Sequence, residues 1–211
     1  PADGPPAAHV MRRGGRGPVT VGPGGYGGDM ASDDTGGQPR TGVDTSTEEG
    51  RRSFIRILNS RLPTKRLIAQ GVLRTSDDEV LLCELTYKKD WDLPGGVVDP
   101  NESPAHCVVR EVKEELGLDV TVRGLVAVNW LPPYRGWDDA LLCLFDLGHV
   151  PAETLESAVL QKREIRAVHW ADAATIADRT APYTATMLAE VGYGAVEGTT
   201  FLENSAPREG M

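Results

Sequence analysis

The sequence has no apolar run that approaches the roughly 18 residues needed for a membrane-spanning helix. Its N-terminus also lacks the apolar core of a secretory signal. Its three cysteines, Cys83, Cys107 and Cys143, cannot all pair within one chain, and none lies in a CxxC arrangement. We therefore expect reduced, buried thiols in a cytoplasmic protein that has no membrane partner.

Positive charge is also scarce, because the formal net charge is -9 and the pI is about 5.0. An acidic chain does not attract nucleic acid through its overall field, so no stable nucleic-acid binding is expected. The short cluster Arg12–Arg16 could touch RNA, but we favour a solvated tail, because there is one short cluster and no repeat. An anionic substrate would need a local cation, either a metal ion or a few placed Arg and Lys side chains.

The first 50 residues contain no Leu, Ile, Phe or Trp, although they hold 13 of the 24 glycines. Such a segment cannot bury enough apolar surface to offset its ordering entropy, so residues 1–50 are predicted to be a disordered tail. Residues 27–30 (GGDM) could be encoded by a sequence that resembles a bacterial ribosome-binding site before a start codon. We therefore hypothesise that Met30 is the natural start, that residues 1–29 are translated leader, and that the source is bacterial.

Residues 51–191 have the composition and patterning of one folded domain, whereas residues 192–211 are Gly-rich and polar and are predicted to be a flexible tail. Strands and helices follow one another without regular βαβ alternation, which favours an α/β (α+β) fold with helices on the faces of a mixed sheet. The predicted strands are 65–74, 79–87, 119–131, 138–147 and 164–170, and the predicted helices are 103–116, 173–178 and 183–191.

The helix at 103–116 is bounded by its own sequence. Ser103 is a natural N-cap, Pro104 suits the first helical position, and Gly117 suits the C-terminal cap. Before it, Gly95 and Gly96 allow the backbone to turn tightly and to approach a ligand closely. The segment from a tight turn into a capped helix is therefore the best-defined local structure of the chain.

Three glutamates share one side of this helix. At about 100° per residue, Glu111, Glu114 and Glu115 fall beside an apolar stripe formed by Ala105, Val108, Val109, Val112 and Leu116. A solvated acidic face would explain most such clusters. Here the cluster follows a Gly-Gly turn and an additional Glu102, and oxygen ligands of this kind suit Mg²⁺.

The spacing of this segment, residues 96–118 (GVVDPNESPAHCVVREVKEELGL), resembles the Nudix box at every defined position. The resemblance implies a Nudix-type α/β/α sandwich around a mixed β-sheet. It implies an enzyme that hydrolyses a diphosphate linkage in a nucleoside diphosphate joined to another moiety, by attack of water at phosphorus. The expected substrate is a small-molecule nucleotide, sugar nucleotide or nucleoside triphosphate.

The resemblance also implies roles for particular residues. Mg²⁺, or Mn²⁺ as a substitute, would be bound by Glu111, Glu114 and Glu115 and by the carbonyl of Gly96, and it would neutralise the diphosphate and activate a water. Arg110 would pair with Glu102 and orient the glutamates. The general base and the number of ions stay open.

Outside the box, Glu164 is a candidate additional metal ligand, with a surface glutamate as the equal alternative. Tyr134, Arg135 and Trp137 are candidate substrate-binding residues, because aromatic rings stack on bases and Arg pairs with phosphate. In the family, two positions after the box help to distinguish substrates, and in this sequence they are Pro133 and Tyr134. The two residues indicate different substrates, so they do not identify one.

A non-catalytic nucleotide sensor or regulator is the alternative function. A homodimer is compatible with the family, but no sequence feature marks an interface.

Overall fold

The computed structural model describes residues 44–134, 136–194 and 198–207. The predicted tail at residues 1–43, including the proposed leader, lies outside the described residues. So do Arg135 and the last four residues. The chain divides into two compact units, and the described part of the smaller unit, residues 44–64, is treated first by itself.

Residues 44–64 of the smaller unit contain the helix α1 (Glu48–Asn59). Thr47 caps it by accepting a hydrogen bond from the backbone N–H of Gly50, and two glutamates occupy its first turn. Acidic groups at a helix N-terminus favour the helix through its dipole. The helix begins inside the segment that was predicted to be a tail, so the predicted boundary at residue 50 is wrong.

In the described part of the larger unit, eight strands form a mixed sheet. Seven strands follow the order β6-β2-β1-β5-β4-β7-β8, and β3 pairs with β1 beside this path. The β1–β5 and β4–β7 pairs are parallel and the other pairs are antiparallel. The strands are β1 (Arg66–Arg74), β2 (Val80–Leu85), β3 (Gly95–Val97), β4 (Gly124–Leu131), β5 (Ala140–His149), β6 (Ile165–Ala171), β7 (Thr200–Glu203) and β8 (Ala206–Pro207).

Helices cover both faces of this sheet. On one face, α2 (Pro104–Leu116) packs in a core cluster with Ala69 and Leu73 of β1. On the other face, α3 (Ala173–Arg179) and α4 (Pro182–Glu190) pack in a second cluster with Ile68 and Val72. Alternate side chains of β1 thus enter opposite layers, as the pleat of a strand requires. The predicted α/β/α sandwich around a mixed sheet is confirmed.

Most predicted elements are present with small changes of boundary. The exception is the strand predicted at 119–131, which begins only at Gly124 because residues 118–123 are irregular. Asp172 caps α3 by accepting a hydrogen bond from the N–H of Thr175, as its position predicted. In the described part of the chain, no helix is long and apolar enough to cross a membrane.

The C-terminal segment corrects the prediction of a flexible tail at 192–211. Thr200–Glu203 forms a parallel strand beside β4, and Leu202 is completely buried. The buried amide of Asn129 in β4 donates to the hydroxyl of Ser205 and accepts from its backbone N–H. Sheet pairing and a satisfied buried amide therefore hold a polar segment that looks loose when it is considered alone.

We predict that Leu202→Ala lowers the free energy of unfolding by about 2–5 kcal/mol, because it leaves a cavity in the core. The matched control is Phe201→Ala on the same strand, where the side chain is 39% exposed and the loss is expected to be much smaller. Urea unfolding followed by circular dichroism measures both. Equal losses for the two variants would contradict the assignment of β7 to the folded domain.

Candidate active site

The tight turn and the helix start form as the local sequence predicts. Gly95 has a φ of 136°, a conformation that L side chains rarely adopt, and it pairs with Gln70 of β1. Ser103 accepts a hydrogen bond from the N–H of His106, and Gly117 ends the helix in the left-handed conformation with a φ of 71°. The turn at Gly95 and the two helix caps place the glutamates of α2 beside β3.

Glu115 is the most unusual member of the glutamate group because it is only 7% exposed. Its carboxylate accepts a hydrogen bond of 3.1 Å from the backbone N–H of Gly95. Burial raises the pKa of Glu115 well above its ordinary value, and the negative charges of Glu111 and Glu164 raise it further. A carboxylate in this position would be stabilised by a cation, because burial otherwise disfavours its charged form.

Glu111 lies against the backbone of Gly96. A Cβ atom added at Gly96 would lie 2.7 Å from Oε1 of Glu111, so only glycine leaves this space open. Burial raises the pKa of Glu111, while the adjacent Arg110 lowers it. The carboxylate of Glu111 thus packs directly against the Gly96 backbone.

Arg110 links the approach loop to the helix. Its Nε and Nη2 atoms donate to both oxygens of Glu102, at 2.8 and 3.0 Å. Its Nη1 atom donates to Glu111 at 2.7 Å and reaches Glu114 at 3.5 Å. The pairing with Glu102 is bidentate, a geometry that fixes the orientation of both side chains. Arg110 is therefore placed to orient the glutamates.

The pairing with Arg110 lowers the pKa of Glu102 to about 2 from its ordinary value of 4.5. A carboxyl group whose pKa is lowered by folding stabilises the fold above its unfolded pKa, and this contribution is lost as the pH falls. We predict that the free energy of unfolding declines less between about pH 4.5 and pH 2 in Glu102→Gln than in the wild type. Urea titrations at several pH values measure this, with the exposed Glu153→Gln as control. Parallel curves for wild type and Glu102→Gln would refute it.

Glu164 is positioned just before β6, and its negative charge raises the pKa of both Glu111 and Glu115. The fold therefore brings this residue within electrostatic range of the box glutamates. Lys113 points away from them and pairs with Asp119 at 2.8 Å. The negative charge of the group is thus offset within the helix by Arg110 and not by Lys113.

Two conditions decide whether these residues can bind a divalent cation. The donor atoms must suit the ion, and the side chains must converge on one point. The donors are carboxylate and carbonyl oxygens, which Mg²⁺ and Mn²⁺ prefer, and Gly96 lacks the Cβ that would close the space beside Glu111. Within the described ranges, however, no three His, Cys, Asp or Glu side chains converge around one point. Arg110 holds Glu111 and Glu114 instead. The donor set fits, and convergence would require these two side chains to turn from Arg110.

The predicted substrate-binding residue Trp137 lies at the start of β1, beside Arg66. The backbones of Tyr134 and Trp137 bond to each other in a narrow turn, and the Trp137 ring lies 4.6 Å from the guanidinium of Arg66. Arg135 falls outside the described residues. Reasoning from the sequence missed Arg66, Gln70 and Asp92, whose environments depend on tertiary packing.

The comparisons with known proteins agree with this geometry. The family model of the NUDIX domain matches residues 65–191, which is more than half of the chain. The chain belongs to the NUDIX family. The resemblance seen in the box is thereby confirmed at the level of the family, over the region that contains strands β1 to β6 and helices α2 to α4.

Two curated relatives illustrate the sequence similarity. The chain is 36% identical over 58 residues to an 8-oxo-dGTP diphosphatase of Proteus vulgaris, which covers 26% of this chain and 52% of that protein. It is 40% identical over 55 residues to a CTP pyrophosphohydrolase of Escherichia coli (strain K12), covering 24% and 41%. The chain thus spans about half the length of the curated relatives that it matches.

Solved structures of NUDIX-type proteins share the fold. A MutT protein from Methanosarcina mazei Go1 aligns with a TM-score of 0.53 at 23% identity, covering 63% of this chain and 97% of that chain. A MutT NUDIX hydrolase from Burkholderia pseudomallei aligns with a TM-score of 0.50 at 19% identity, covering 64% and 99%. At these identities the likeness supports the fold alone.

Proposed function

We propose that this chain is a magnesium-dependent hydrolase that cleaves a diphosphate linkage in a nucleoside diphosphate derivative. The observation that carries the proposal is the buried carboxylate of Glu115, bonded to the Gly95 N–H beside Glu111 and near Glu164. Burying acidic groups together costs stability, and a cation shared with substrate phosphates would offset that cost.

The residues of the chain have distinct parts in this proposal. Glu111, Glu114 and Glu115, with the carbonyl of Gly96 and with Glu164, would hold the ion, for which Mn²⁺ can substitute. When bound, the ion supplies charge neutralisation for the diphosphate and a water of lowered pKa. Arg110 and Glu102 would act as positioning residues: Glu102 anchors Arg110, and Arg110 holds Glu111 and Glu114, which would turn from it towards the ion.

The relatives suggest which substrates to test. Two relatives are named for action on 8-oxo-dGTP and on CTP, and a Bacillus subtilis relative is named as a putative ADP-ribose pyrophosphatase. These compounds share a nucleoside joined to a chain of phosphates, and they differ in what the diphosphate carries. The shared linkage is the part that the glutamate site would recognise. Cytoplasmic location, bacterial origin and dimerisation stay predictions.

The test is a panel assay with purified protein and Mg²⁺, in which products are identified by chromatography. The panel contains ADP-ribose, NADH, dinucleoside polyphosphates, 8-oxo-dGTP, CTP and nucleotide sugars. We expect metal-dependent cleavage of at least one compound and little activity in Glu114→Gln. Tight nucleotide binding with no cleavage of any compound would contradict the proposal and favour a sensor or regulator.

A further inference from the structure

The helix α1 lies outside the part of the chain that the family model matches. It spans Glu48–Asn59, whereas the match covers residues 65–191. The hydrolysis proposed above uses residues of the matched region alone. Neither the family nor the proposed function therefore gives α1 a role, and its own side chains must indicate one.

One side of α1 is apolar and is not buried. At about 100° per residue, Phe54, Ile55, Ile57 and Leu58 fall within an arc of about 160°, which we call the α1 stripe. None of the 12 residues of the helix is buried, and the exposed fractions of Ile55 and Leu58 are 53% and 37%. Leu62, just after the helix, is 60% exposed. An amphipathic helix normally packs such a stripe against an apolar partner.

The same segment carries positive charge, in a chain whose net charge is -9. Residues 51–64 contain no acidic residue and four arginines, which are Arg51, Arg52, Arg56 and Arg61. The first two pair with Glu48 at 3.2 and 3.0 Å. The other two have no ion-pair partner among the residues that the structure describes. Arg51 lies one turn before the α1 stripe and Arg61 lies after it, so arginines flank the stripe at both ends.

An anionic lipid surface matches both features of α1. An apolar stripe combined with arginines is typical of helices that lie in the plane of a membrane interface. The apolar side chains enter the boundary of the acyl region, and the long arginine side chains reach the headgroups. Anionic headgroups attract each arginine near the surface, and salt weakens this attraction.

Two other partners match only one of these features. Nucleic acid would pair with the arginines but would leave the α1 stripe in water. A second copy of this chain would need a matching apolar surface. In the described part of the larger unit, the exposed large apolar side chains come from four separate segments, at Tyr87, Trp137, Val159 and Phe201. Pairing of two α1 helices through their stripes would bring like charges together.

We propose that α1 binds the surface of a membrane that contains anionic phospholipid. The α1 stripe enters the interface, and Arg51 and Arg61 contact phosphate groups of the lipids. Such binding needs no membrane-spanning helix, and it contradicts the expectation of a chain without a membrane partner. It does not depend on the proposed hydrolysis.

The experiment measures sedimentation of the full chain with lipid vesicles. One set contains phosphatidylglycerol and phosphatidylcholine in equal parts, and the other contains phosphatidylcholine alone. EDTA is present, so that no divalent cation bridges the glutamate site to the lipid. We expect at least about tenfold tighter binding to the anionic vesicles, and weaker binding as salt is raised.

Two double variants separate the apolar and the charged contributions. Ile55→Ser with Leu58→Ser should weaken binding to the anionic vesicles about tenfold or more, because apolar burial is lost. Arg51→Gln with Arg61→Gln should weaken it by a similar factor and remove most of its salt dependence. The matched control is Phe201→Ser on β7, where the apolar side chain is 39% exposed, and it should bind as the wild type does. Thermal unfolding checks that each variant is folded.

Several results would overturn the inference. Wild type that binds neither set of vesicles, or both sets equally, would do so. So would stripe variants that bind as tightly as Phe201→Ser. If the wild type instead forms dimers that Ile55→Ser with Leu58→Ser separates, and does not bind vesicles, the α1 stripe is an interface between copies of the chain. Failure of the nucleotide panel would leave vesicle binding unaffected, so the two proposals fail separately.

Discussion

Replacing Glu111 by glutamine is expected to lower kcat for diphosphate hydrolysis by about three orders of magnitude. Glu111 lies beside the Gly96 backbone and near Glu115 and Glu164, where its charge would help to hold the catalytic cation. Losing several kcal/mol of charge stabilisation in the transition state corresponds to roughly a factor of ten for each 1.4 kcal/mol. The variant keeps the shape of the side chain, so the fold should be retained.

The measurement is kcat at saturating Mg²⁺ for the best substrate of the panel, with thermal unfolding as a check on the fold. Lys113→Gln is the matched control on the same helix, because Lys113 pairs with Asp119 and points away from the glutamates. It should have nearly the wild-type kcat. If Glu111→Gln were as active as Lys113→Gln, the assignment of Glu111 to the metal site would be wrong.

Gly96→Ala is expected to lower activity by about a hundredfold while leaving the domain folded. The added Cβ would lie 2.7 Å from Oε1 and 2.8 Å from Cδ of Glu111, closer than real Cβ contacts allow. The carboxylate is the far end of a flexible side chain, so it can move aside and the backbone can stay. Displacement of a catalytic group by about 1 Å can cost a factor of this size.

The control is Gly124→Ala at the start of β4, where an added Cβ meets nothing within 4 Å. Melting temperatures should show that both variants remain folded. Only Gly96→Ala should lose activity. Equal activity in the two variants would show that the space between Gly96 and Glu111 has no part in catalysis.

The box helix could be predicted because its boundaries depend on local chemistry. Ser103, Pro104 and Gly117 act on their own neighbours, and the structure has the helix between them. The burial of Glu115 could be predicted only in part from the sequence. Its position on the wheel is at the edge of the apolar stripe, but its bond to Gly95 depends on how β3 pairs with β1.

The C-terminal strand could not be predicted because its stability comes from contacts distant in sequence. Thr200–Glu203 is polar apart from Phe201 and Leu202, and its partner β4 lies about 70 residues earlier in the chain. The burial of polar atoms of Gln70 and Arg66 could not be predicted for the same reason. Nothing in residues 66–74 indicates that one amide oxygen and two guanidinium atoms would be buried without partners, because that depends on the neighbouring strands and loops.

The most direct test of the metal site is the binding of Mn²⁺ to the protein without nucleotide, measured by electron paramagnetic resonance. The comparison is between wild type and Glu115→Gln, a change that removes a buried charge and should not destabilise the fold. We predict that the wild type binds Mn²⁺ and that Glu115→Gln binds it about tenfold more weakly or worse. Equal affinities for the two proteins would contradict the metal site on which the proposed function depends.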